Sequence, residues 1–201
     1  MAPAFAIIVL MWAAMMVAMM SPSAAPALLL YARAQQRAKP DEQPPTGAFV
    51  LGYLLCWLGF AIVAAGLQMA LEGAAALSDM TMALHGKTLS AAVMIAAGLY
   101  QLSPFKNACL GRCRSPAQFL SRHYRPGAAG ALRLGLLHGA YCVGCCWLLM
   151  ALLFVGGVMN LLWVAGLTLL VAAEKLLPRG TLIAHVAGVA MIGWGVGRLL
   201  A

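Results

Sequence analysis

Acid is what this sequence has least of. Five Asp and Glu stand among 201 residues, against thirteen Lys and Arg, and only 9% of the chain is charged. General acid–base catalysis needs carboxylates or similar groups held together in a cleft, and most of these five fall in connecting segments. No hydrolase triad and no glycine-rich phosphate loop occurs. The reading is therefore a protein that is not an enzyme, that binds no organic cofactor, and that has no nucleotide site to drive transport. A Cys-x-x-Cys-His motif is also missing, because His138 precedes the neighbouring cysteines, so covalent haem is not expected. No internal repeat is visible.

What fills the chain instead is apolar: 64% of its residues are hydrophobic. Composition of that kind predicts an all-α fold, a polytopic transmembrane helical bundle forming one integral membrane domain over residues 1–201. A span needs about 20 apolar residues to cross a core of about 30 Å, so the length allows about six. They read as residues 4–31, 48–71, 89–102, 134–155, 158–173 and 181–200. The first lacks the basic start of a signal peptide and becomes apolar again at Leu28, so a retained helix kinked or broken at Pro22 and Pro26 is expected. Residues 105–133 read as the longest connection, and Gly193 with Gly197 as a small-residue packing motif.

The basic residues are unevenly placed. Segments after the first, third and fifth spans hold three, six and two Lys or Arg, and those after the second, fourth and sixth hold one, none and one. Short basic loops stay in the cytoplasm, which predicts both termini on the extracytoplasmic side. The net charge of +8 then reflects topology and contact with the lipid bilayer, and nucleic acid is not an expected partner.

The chemistry concentrates between His138 and Met150. Cys142, Cys145 and Cys146 stand at i, i+3 and i+4, and therefore on one helix face, with His138 a turn before and Met150 a turn after. A thiolate is costly in a membrane unless a soft cation neutralises it. On the first span Met11, Met15 and Met19 repeat every four residues, and Met16 and Met20 form the adjacent row. Rise per residue puts Cys142 to Cys146 roughly 12 to 18 Å, and Met11 to Met16 roughly 11 to 20 Å, above the cytoplasmic face. The two sets can thus share one midplane site. Soft sulfur donors select soft metals, above all Cu(I), whereas a closed zinc site would leave the methionines unused. Met80, Met82 and His85 form an outer cluster and Cys109 with Cys113 an inner pair, a series able to pass a soft ion across the membrane. Glu174 reads as an interfacial partner of Lys175 or a snorkelling group, with proton coupling as the alternative.

Several stretches together resemble one family. They are Met11 to Pro22, Tyr100 to Pro116 with its Cys109 and Cys113, Cys142 to Met150, Met159-Asn160 and Glu174-Lys175. They are similar to the bacterial family of predicted metal-binding integral membrane proteins of unknown function, over nearly the whole chain. The resemblance implies a multi-pass protein of the bacterial inner membrane, suspected of binding metal, with a small soluble partner protein in some genomes. It supplies neither the metal nor a reaction. The expectation is that a metal ion, Cu(I) by ligand softness, is bound in mid-membrane and transported or delivered. Alternatives are a membrane thiol–disulfide redox relay and a structural subunit of a larger complex, and a homo-oligomer is open.

Overall fold

The computed structural model describes residues 2–38, 45–77, 82–84 and 86–200. Met80 and His85 lie outside the described residues. The described chain is helical throughout: α1 (Ala2–Ala38), α2 (Thr46–Gly73), α3 (Lys87–Gln101), α4 (Pro104–Arg114), α5 (Pro116–His123), α6 (Gly127–Ala151), α7 (Leu153–Gly156), α8 (Leu161–Leu176) and α9 (Gly180–Leu200). No strand occurs among the described residues, only an isolated antiparallel bridge between Leu77 and Leu84.

Four stretches are long and apolar enough to cross a membrane: Ala4–Arg37, Thr46–Gly73, Gly127–Gly156 and Gly180–Leu200. A fifth arises if α3 and α4, bent by 62° at their junction, count as one broken span. At 16 residues α8 is shorter than a membrane-crossing helix ordinarily is. Side chains such as Leu10, Val63, Leu162, Leu169 and Leu182 are exposed. Exposed large apolar side chains in both units are what lipid-facing helices carry.

Local sequence explains where the helices begin and end. Pro104 and Pro116 open α4 and α5, where a missing N–H costs nothing. Ser103 Oγ accepts the Lys106 backbone N–H at 3.2 Å, and Asn160 Oδ1 accepts that of Trp163 at 3.2 Å. Residues 105–133, expected as a connection, thus contain two helices and the start of a third. The short polar turns between them hid this from an apolar-run reading.

α1 continues through both prolines. Hydroxyls serve carbonyls around them: Ser21 Oγ donates to Val17 O at 2.5 Å and Ser23 Oγ to Met20 O at 2.9 Å. Proline lacks the backbone N–H that Ala18 O and Pro22 O would otherwise accept, and the serine bonds lie beside these two positions.

The contacts divide the chain into two compact units, one of Met1–Ala65 with Cys109–Gly144, the other of Gly66–Ala108 with Cys145–Ala201. In the first, α2 and α6 approach until backbone meets backbone. A Cβ on Gly52 would collide with the Leu132 carbonyl, one on Gly135 with the Phe49 carbonyl, and one on Gly139 would stand 2.7 Å from Cys56 Cβ. Gly135 and Gly139 are therefore a small-xxx-small face. Tyr31 stacks on Phe49 with ring centroids 5.4 Å apart, within a core completed by Phe119, Leu120 and Leu134.

In the second unit α9 packs along α3 through Gly188 and Gly195, not through Gly193 and Gly197. A Cβ on Gly188 would stand 2.8 Å from Gln101 Cβ, and one on Gly195 2.6 Å from Ile95 Cγ1, whereas Gly193 and Gly197 have nothing within 4 Å. The expected pair had the right spacing but lies away from the packed side. This unit also encloses a buried polar triad. Lys106 Nζ donates to Glu174 Oε2 at 2.6 Å and to Gln101 Oε1, and Gln101 Nε2 donates to Glu174 Oε1 at 2.7 Å. Glu174 thus pairs with Lys106, five residues past Gln101 and beyond the α3–α4 bend, a partner that the sequence reading did not give it.

Candidate metal-handling site

The sulfur-rich part of the first unit is built by α1, α2 and α6. On α1 the fully buried line is Trp12, Met16 and Met20, one turn apart, with Met19 beside it at 3% exposure. Met11 and Met15 are only half-buried. Of the two methionine rows, the one with Met16 and Met20 faces the interior, together with Met19.

Tyr53 of α2 ties the other two helices together. Its hydroxyl lies 3.2 Å from Cys142 Sγ on α6 and 3.5 Å from the Met20 carbonyl on α1. A phenol can donate to a carbonyl or sulfur and accept from a thiol, so it can stay hydrogen-bonded whether Cys142 carries its proton or not. Cys142 stands level with Met20, the last methionine of the stripe, about one turn further along α1 than Met16, which its depth by rise per residue would match.

His138, one turn before Cys142, is 2% exposed and surrounded by rings. The Phe119, Tyr53 and Phe49 centroids lie 5.5, 5.9 and 6.0 Å from its own. Cys56 donates its thiol to the Leu136 carbonyl at 3.4 Å, in the α2–α6 seam.

Cys109 and Cys113 lie on one face of α4, both half-buried. Gly144 makes room for Cys109: a Cβ there would stand 3.2 Å from Cys109 Sγ. The Arg112 guanidinium sits 4.5 Å from the Tyr141 ring centroid and fastens α4 to α6 at the same level. Cys109 of the inner pair is therefore brought against the helix that carries Cys142.

Cys145, Cys146 and Met150 follow on the same continuous helix and are buried in the second unit. In that unit Met82 Sδ accepts a hydrogen bond from Gln68 Nε2 at 3.2 Å, and the same amide donates to Glu72 Oε1 at 2.8 Å. No disulfide joins the six cysteines. Among the described residues no group of three or more His, Cys, Asp or Glu side chains closes around a common point suited to a metal.

Tyr53 was missed from the sequence because a lone tyrosine in an apolar run has no spacing that marks it. Lys106 was missed because it sits in the most basic stretch of the chain.

Helices of membrane-crossing length, with thiols and thioethers buried among them, define an apolar helical protein whose interior favours soft metal chemistry. Residues 9–198 match the family described as PpoB2, copper chaperone, and the chain belongs to that family. Copper handling is thus a property of the family. Comparison with curated proteins and with solved structures gave no match.

Proposed function

We propose that the protein takes Cu(I) as its cargo in the first unit, between α1 and α6, and delivers it across or out of the membrane. The ligands are the Cys142 thiolate and the thioethers of Met16, Met19 and Met20. The observation that carries this reading is Tyr53, whose hydroxyl reaches both Cys142 Sγ and the Met20 carbonyl and so brings the thiol helix and the methionine helix to one level. Thiolate and thioether donors prefer Cu(I) to the harder divalent ions. Cys145 and Cys146 continue the thiol series on α6, and Cys109 and Cys113 offer thiols on α4 toward which the ion can move.

The chain crosses a bacterial inner membrane six times in this reading, with α8 a short fifth span and both termini extracytoplasmic. Withdrawing the buried Lys106 from the loop count leaves the basic asymmetry strong. Anaerobic loading of purified protein with Cu(I) is expected to give bound copper that a Cys142/Cys145/Cys146→Ser triple variant does not hold. Wild-type protein that takes up no Cu(I) would refute the reading.

A thiol–disulfide relay is the second reading, favoured by the packing of Cys109 at Gly144. It predicts a Cys109-dependent mobility shift when thiols are trapped in oxidised and reduced cells, with no copper requirement.

A further inference from the structure

We infer that the cavity between α1 and α5 is a binding site for an anionic phospholipid. The inference rests on the proposed membrane placement and is independent of copper. The cavity has a volume of about 400 Å³, lined by Leu30, Tyr31 and Ala34 of α1 and by Leu120, Ser121 and Tyr124 at α5. Its wall is almost entirely apolar, as an acyl chain requires. One polar group in it lacks a hydrogen bond: the Tyr31 hydroxyl, on a side chain 1% exposed, with the Gln35 amide as its polar neighbour. A buried hydroxyl left without an acceptor is costly, and an ester or phosphate oxygen satisfies it.

Charge supplies the second half of the ligand. Arg33 and Arg37, one turn apart on α1, and Arg122 and Arg125, on either side of His123 and Tyr124, are exposed next to the lining residues in sequence. The described residues of this unit include seven arginines. Guanidinium groups hold phosphate oxygens two at a time, which lysine does not. An apolar slot bordered by arginines therefore suits an anionic phosphate head with its chain inserted between α1 and α5.

The test uses the full chain in neutral detergent, with dioleoyl phosphatidylglycerol, dioleoyl phosphatidylcholine or inorganic phosphate added, and reads thermal unfolding and bound lipid by native mass spectrometry. Phosphatidylglycerol alone is expected to bind and raise the unfolding temperature. Arg122→Gln/Arg125→Gln should weaken that binding roughly thirtyfold, from the attraction of two surface arginines. Ala34→Trp fills the cavity from an exposed position and should abolish binding while Cu(I) loading persists, and Arg198→Gln should change nothing. Equal effects of both lipids, stabilisation by inorganic phosphate alone, equal loss in Arg198→Gln, or retained binding in Ala34→Trp would overturn the inference. So would a concentration-dependent dimer that Ala34→Trp disperses, which would assign the cavity to a second copy of the chain.

Discussion

Cys142 and Tyr53 carry different kinds of information. The cysteine is legible from sequence because its neighbours Cys145 and Cys146 repeat at helical spacing, whereas the tyrosine acts only through two helices that meet it from elsewhere in the chain. Tyr53→Phe removes a hydroxyl and no volume, so the fold should persist with a loss of about 1 kcal/mol in unfolding free energy. Bound copper should remain, since the hydroxyl is not a ligand in this account. Lys106 makes the opposite case. It reads as one more loop base, yet it is 0% exposed and bonded to Glu174 and Gln101. Lys106→Met leaves the Glu174 carboxylate buried without its counter-charge and should cost about 3–5 kcal/mol. Combining it with Glu174→Leu should recover most of that loss, as replacing both partners by apolar groups commonly does. Thermal unfolding in detergent measures all three variants; equal losses in the single and double variants would deny the pair its role.

At the scale of elements, long apolar runs located α1, α2, α6 and α9, because about 20 apolar residues in sequence have few alternatives to a spanning helix. The break between α3 and α4 was visible as Ser103-Pro104, but not that a helix resumes at once and returns Lys106 to the interior. Glycine spacing was the weaker guide. Gly193 and Gly197 have the motif and no contact, while Gly135 and Gly139 have both, because only packing decides which face is used. Gly135→Val should therefore force α6 off the Phe49 carbonyl, with a cost of about 1–3 kcal/mol or more and loss of the Tyr53–Cys142 contact. Gly193→Ala should stay within about 0.5 kcal/mol of wild type. Unfolding measurements on the two variants, with copper loading alongside, separate the faces.

For the whole molecule, the sequence supports an all-helical apolar chain of the copper chaperone family, and the structure gives it two compact units. Apart from the buried Lys106, the positive charge that a soluble-protein reading would send to nucleic acid lies mostly on loops and near helix ends, and in the proposed reading it orients the chain. Reporter fusions are expected to place both ends outside the cytoplasm. The outcome would be opposite if the basic segments after α1 and around α5 faced outward.

The central claim is that copper is held by sulfur contributed from both α1 and α6. X-ray absorption at the copper edge of anaerobically loaded protein tests it most directly. The account predicts Cu(I) in a sulfur-only shell that loses one sulfur in Cys142→Ser and another in Met19→Leu, and is unchanged in Cys113→Ser. A shell of nitrogen or oxygen ligands, or one indifferent to Cys142 and Met19, would contradict it.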